Sequence, residues 1–309
     1  MALSDAQRLD LLQSPTGKVR MVLDTDTYNE IDDQFAVVQA LLSPERLDVQ
    51  AIYACPFHNG RSDGPGQGME LSYEEILRVL TRMGHASDGF AFRGVTEFVG
   101  PEKKARHAEA VDHLIGLARA SSTEDPLYVV AIGAISNIAS ALLLAPEIAE
   151  SIVVVWLGGN APHWPKSFNQ LASFNLRQDV GGAQVLLDSG VPVIYVPASG
   201  VTSHLRSNVP EIEKYVEPHG EIGAFLAQRF KEYSTDHKGW SKEIWDMAAI
   251  GWLLNADWAP SEIMPAPVMG DDMTWLKAEG RHPMRYVGHV NRDAILRDFF
   301  DKLEAHAAT

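Results

Sequence analysis

The sequence predicts an α/β fold in which a mostly parallel central sheet carries helices on both faces. Three observations lead there. Short apolar, β-branched runs alternate with stretches of helical composition along the chain. The runs are apolar throughout rather than at every second position, so they read as strands buried on both sides. The residues with the most chemical potential follow the ends of those strands, where ligands bind in open parallel sheets.

Element by element, residues 19–23 form a buried strand and 34–42 a helix ended by Ser43-Pro44. Residues 49–54 are a second strand, and 55–70, rich in Gly, Pro, Asn and Asp, are expected to be a long loop of the functional kind. Amphipathic helices follow over 72–83, closed by Gly84, and over 107–120. Next come a strand at 127–132, a helix at 137–144 stopped before Pro146, and a strand at 152–157 that opens into Gly158-Gly159-Asn160. A helix at 180–188 ends at Gly190, and a strand occupies 193–196. Helices are expected at 222–233 and 246–254, a strand near 285–290, and a last helix over 293–305. No repeat or low-complexity linker divides the 309 residues, so residues 1–309 are read as one domain.

Composition excludes several function classes. With 46% hydrophobic and 22% charged residues the chain has the balance of a soluble globular protein. Its longest apolar runs are far too short to span a bilayer, so no membrane partner is expected. Residues 1–20 lack the apolar stretch of a secretory signal, and a lone cysteine, Cys55, fits a reducing compartment, so the expected location is cytoplasmic. A formal net charge of −15 with no basic stripe argues against a nucleic-acid partner and suits a small neutral substrate.

The chemistry concentrates at the end of the first strand. Asp24, Asp26, Glu30, Asp32 and Asp33 place five acidic side chains within ten residues. Asp24 and Asp26 are two apart and point the same way from an extended backbone. Helix capping explains one or two of the five, because the helix N-terminus favours negative charge. It leaves the aspartates at the end of an apolar strand unexplained. Crowded carboxylates repel one another unless a cation compensates, and an all-oxygen ligand set points to Mg²⁺ or Ca²⁺ rather than Zn²⁺. Phosphatases of the haloacid dehalogenase type also open with D-x-D-x-[TV], but Tyr28 stands where that pattern needs Thr or Val, and the pattern has no use for the Asp32-Asp33 doublet.

Four segments in order resemble the inosine-uridine-preferring nucleoside hydrolase family. Asp24, Asp26, Asp32, Asp33 and Ala36 match its D-x-D-P-G-x-D-D-x-x-A motif, although Thr27 to Ile31 make the turn two residues longer. The run from Ala131 to Ala139, which holds Gly133 and Ser136-Asn137-Ile138, is similar to its G-P-L-T-N-[IL]-A turn. Ser173-Phe174-Asn175 with Asp179 and Ala183 is similar to E-F-N…D-P-x-A-A, and Trp245-Asp246-Met247-Ala248-Ala249 to H-D-P-x-A. The match runs from about residue 19 to residue 257.

The resemblance implies a Rossmann-like nucleoside hydrolase fold and calcium-dependent hydrolysis of the N-glycosidic bond of ribonucleosides, a salvage reaction. Asp26, Asp33 and Asp246 would be calcium ligands through their side chains, and Ile132 through its carbonyl. Asp26 would also deprotonate the calcium-bound water. Asp32 would accept from the ribose 2′-hydroxyl, Asn175 would hold other sugar hydroxyls, and Asp24 would support the site from behind. His58 or Asn59 would supply a sugar contact after the second strand, and Asn169, beside Phe168, another. The family implies a homodimer or homotetramer.

The match departs from the family where the base leaves. Trp245 replaces the proton-donating His of H-D-P, and Ser173 replaces the Glu of E-F-N. Either the base stacks on an aromatic ring, with Trp245, Trp164 and Tyr233 as candidates, or another acid serves, with His58, His163 and His237 available. Cys55 has no identifiable base and reads as a small buried hydrophobe. Two alternatives stand beside the leading reading. One is the same site acting on another N-riboside or a modified nucleoside. The other is a non-catalytic sugar-binding protein.

Overall fold

The computed structural model describes residues 3–162 and 173–308. Its centre is an eight-stranded sheet built from β1 (Val19–Thr25), β2 (Leu47–Ala54), β3 (Ala91–Arg93), β4 (Leu127–Ala131), β5 (Ile152–Leu157), β6 (Val193–Val196), β7 (Ser261–Pro265) and β8 (Pro283–Val287). The spatial order is β3-β2-β1-β4-β5-β6-β8-β7. All neighbours run parallel except β7, which pairs antiparallel with β8 at the edge.

The helices in chain order are α1 (Asp5–Leu11), α2 (Asp32–Leu41), α3 (Pro65–Arg82), α4 (Glu109–Arg119), α5 (Ser136–Leu144), α6 (Phe174–Gln178), α7 (Val180–Asp188), α8 (Val209–Tyr215), α9 (Gly220–Lys231), α10 (Met247–Leu254) and α11 (Arg292–Ala307). Every residue of β4 and β5 is buried, which requires cover on both faces of the sheet and accounts for the unbroken apolar runs. Helix α10, with the sequence MAAIGWLL, packs against both α2 and β5 and is apolar nearly all round because it is enclosed nearly all round.

Some expectations shift. The loop expected over 55–70 is shorter, because α3 already begins at Pro65; proline suits the first turn of a helix, where its missing N–H is not needed. The strand expected near 285–290 lies at Pro283–Val287. The helices α1, α6 and α8 and the edge strands β3 and β7 are additions. They are short and have little apolar periodicity; α1 is held by a reciprocal cap between Ser4 and Gln7.

The strand order positions the site. From β1 the chain winds outward through β2 and β3, and then returns to place β4, β5 and β6 on the other side of β1. Loops leaving the carboxyl ends of β1 and β4 therefore diverge to opposite sides, and a crevice opens between them. Asp24 on β1 lies opposite Ala131 on β4, so Asp26 and Ile132 emerge at that crevice.

Candidate active site

The end of β1 is a buried polar scaffold. Asp24 is fully enclosed, and its Oδ1 accepts a hydrogen bond from Asn137 Nδ2 at 2.7 Å. Burial raises its pKa to about 8, against the opposing effect of the Asn137 bond. Thr25 Oγ1 donates to Asp33 Oδ1 at 2.5 Å and lies 2.9 Å from Thr27 Oγ1. Asn29 N–H donates to the Asp26 carbonyl at 2.7 Å and closes the turn. Asp26 is seated against Gly133, where a Cβ would lie 2.9 Å from Asp26 Oδ1 and 2.2 Å from Cys55 Sγ, so only glycine leaves the carboxylate in place.

Helix ends bring the remaining carboxylates. Asp32 and Asp33 occupy the first turn of α2, and Asp246 stands at the N-cap position of α10. Neither helix has a side-chain cap bond, so these aspartates are not spent on capping and turn instead toward one another. The positive ends of two helices thus face the cluster. Carboxylate oxygens of Asp32, Asp33 and Asp246 come within 4.8 Å of one another. Asp26 joins the set through its electrostatic contact with Asp32 and Asp33, and Asp32 faces Asp246.

These groups surround a cavity of about 160 Å³. Its described lining includes Asp26, Asn29, Glu30, Asp32, Asp33, Ile132, Asn175, Trp245 and Asp246 and contains no basic side chain. Burial, followed by repulsion from Asp32, holds the Asp26 carboxyl well above the usual carboxylate range. Asp33 and Asp246 are raised likewise, first by burial and then by their carboxylate neighbours. Asp32 is raised by burial to about 7, with nearby Lys242 pulling it down. Asp26 Oδ2 and Asp32 Oδ1 are buried without any hydrogen-bond partner. Four enclosed carboxylates with orphaned oxygens fit a hard divalent cation, which would relieve both the repulsion and the missing partners. A metal can be held here by the aspartate cluster.

The sequence-predicted residues fall into three groups. Asp26, Asp32, Asp33, Ile132, Asn175, Trp245 and Asp246 come together around the cavity. Asn175 Nδ2 donates to the carbonyls of Ile132 at 2.6 Å and Leu157 at 3.0 Å, tying the ends of β4 and β5 together. Asp24 and Asn59 lie behind the lining, Asn59 donating to Asn29 Oδ1 at 2.6 Å, while the His58 side chain is exposed and away from the cavity. His237 is held on the Lys231 carbonyl at 2.9 Å beside Trp240, and Tyr233 does not line the cavity either. His163, Trp164, Phe168 and Asn169 lie outside the described residues. Asn29 and Glu30 lie in the lengthened turn of the acidic segment, where Glu30 is one of the five acids but neither has an individual role from sequence; Ser199, which follows β6 and was open to the same strand-end rule, was missed.

The chain matches the family model described as "Inosine-uridine preferring nucleoside hydrolase" over residues 21–297. It is 27% identical over 270 residues to a pyrimidine-specific ribonucleoside hydrolase, RihA, of Escherichia coli O1:K1, covering 77% of this chain and 80% of that protein. Among solved structures, a plant nucleoside hydrolase superposes with a TM-score of 0.73 at 20% identity, covering 94% of this chain and 100% of its own. A purine-preferring ribonucleoside hydrolase from Gardnerella vaginalis gives 0.71 at 19% identity, with 93% and 99% covered. The structural likenesses support the fold, and the family match, spanning most of the chain, carries the assignment: the protein belongs to the inosine-uridine preferring nucleoside hydrolase family and is an enzyme of the N-ribohydrolase class.

Proposed function

We propose that the protein is a calcium-dependent ribonucleoside hydrolase that splits the bond between ribose C1′ and the base nitrogen. The observation that carries this reading is the set of four enclosed carboxylates, Asp26, Asp32, Asp33 and Asp246, with two oxygens that have no partner. Asp26, Asp33, Asp246 and the Ile132 carbonyl are the groups that would hold the cation. That carbonyl accepts from Asn175 and has a second lone pair to give. With two sugar hydroxyls and a water, the oxygen count suits Ca²⁺ better than the strict octahedron of Mg²⁺. When bound, the cation would supply charge compensation, an anchor for the sugar and a lowered pKa for the attacking water.

The chain's own residues do the rest. Asp26 takes the proton from water as the new C1′–O bond forms. The electron pair of the breaking C1′–N bond leaves with the base through an oxocarbenium-like transition state. Asp32 accepts a hydrogen bond from the 2′-hydroxyl through the oxygen that lacks a partner. Both N–H bonds of Asn175 are committed to backbone carbonyls, so its Oδ1 is the atom offered to a sugar hydroxyl. Trp245 offers an aromatic face to the base and no acidic proton.

The test is paired turnover of ribonucleosides and their 2′-deoxy analogues. A site built to bind a hydroxyl rejects the analogue lacking it by about 10⁴-fold. Equal rates on both sugars would refute the assignment of Asp32. A second reading, the same site acting on another N-riboside, is favoured by Trp245 and Glu30 on the cavity wall. A substrate panel assayed for released ribose separates the two.

A further inference from the structure

We propose that Glu30 sets the charge preference of this pocket, admitting neutral and cationic N-ribosides and turning away those that carry a phosphate. The inference rests on the ribonucleoside reading above and specifies which members of that class enter.

Glu30 belongs to the lengthened turn between Asp26 and Asp32, and it lines the cavity without being one of the three carboxylates gathered within 4.8 Å. Its Oε2 accepts from Lys242 Nζ at 2.7 Å, and that ammonium lies 5.0 Å from the centre of the Tyr233 ring. The Lys242 side chain is 8% exposed and that of Glu30 35%. The ion pair is therefore oriented, with its cation behind the wall and its carboxylate on it.

The rest of the turn is braced as well. The Arg229 guanidinium lies 5.9 Å from the centre of the Tyr28 ring, and Asn59 holds Asn29. Three consecutive turn residues are thus fixed by side chains from distant segments, so Glu30 is presented in a set position rather than on a loose loop.

A carboxylate has about four lone-pair positions, and the Lys242 ammonium leaves room for a donor from the substrate. A hydroxyl, an amino group or a ring cation can use it. A phosphate brings only more acceptors and like charge, and like charges facing each other in a desolvated site repel strongly. The four aspartates are the groups a divalent cation would compensate. Glu30 stands outside their innermost group, and its counter-ion Lys242 is buried and is not among the lining residues.

The experiment measures dissociation constants by calorimetry, with calcium-loaded protein, for uridine, uridine 5′-monophosphate and the cationic riboside of nicotinamide, alongside kcat and KM. The wild type should bind the first and third at least tenfold more tightly than the monophosphate. Glu30→Gln should shift the monophosphate-to-uridine ratio about tenfold in favour of the phosphate. Glu30→Asp should keep the wild-type order. The double variant Glu30→Gln/Lys242→Met, which leaves no unpaired lysine, should lose the preference if the single variant does not fold. A Glu30 that only braces the turn would move all three ligands together, so an unchanged ratio in a folded Glu30→Gln protein overturns the proposal. Binding without cleavage of any riboside would sink the hydrolase reading while the ratio still judges Glu30. Binding of none of the three would overturn both.

Discussion

Four aspartates enclosed at one point repel one another, and no basic side chain among the described lining residues offsets them. Removing one of them should therefore affect chemistry and cation affinity together, and the two effects are separable. Asp26→Asn keeps the volume but removes the base; kcat should fall about 10²–10⁴-fold at saturating calcium. Retention of wild-type kcat in that variant would rule out Asp26 as the base. Asn137 is a different case, since it touches no substrate. It donates to Asp24 and its Oδ1 accepts from the Val95 N–H at 2.8 Å. Asn137→Ala strands both groups in the interior and should cost about 1–3 kcal/mol, read by urea unfolding. The aspartates themselves were legible in the sequence, because five acids at the end of an apolar strand have few structural uses. Lys242 was not legible as a partner of that segment. Glu30 and Lys242 are 212 residues apart, and a single sequence contains no sign that a turn and so distant a segment share an ion pair.

Among elements, the turns after β1 and β4 matter most. The second turn approaches the first so closely that residue 133 can have no side chain. Gly133→Ala should displace Asp26 and lower kcat/KM at least tenfold in protein that still melts cooperatively; thermal melts together with steady-state rates check it. Normal activity in that variant would mean that the seat of Asp26 is looser than the packing indicates. Helix and strand positions in the core were legible because burial on both faces leaves long apolar runs, as in β4 and β5. The start of α3 was not, because Gly64-Pro65-Gly66 has the composition of a loop and becomes a helix start only once the following residues pack. The role of Asp246 was ambiguous for the same reason. From sequence an aspartate before an apolar helix is a cap, and only the fold turns its carboxylate toward Asp32.

At the scale of the whole molecule, the reversal of strand order beside β1 decides where the site lies. It brings residues 26, 132, 175 and 246 together from across the chain. Four motifs in order pointed to that assembly, yet no single segment contains it. The enclosed carboxylates also link stability to pH. Their folded pKa values lie above those of the unfolded chain, with Asp24 at about 8 and Asp32 at about 7, so the folded protein binds protons more tightly. Their contribution to the stability of metal-free protein is then fully present below about pH 4 and is lost as pH rises through about 7 and 8. A cation that takes the place of those protons should raise Tm more at pH 8 than at pH 5. Melting curves with chelator and with calcium at both values test this, and an equal shift at both would contradict it.

Calcium dependence is tested most directly by ribose release from a ribonucleoside by protein stripped with a chelator and then titrated with calcium. No release is expected after stripping and full recovery on titration, with Asp33→Ala and Asp246→Ala needing far more calcium than the wild type. Undiminished release from fully stripped protein would contradict it.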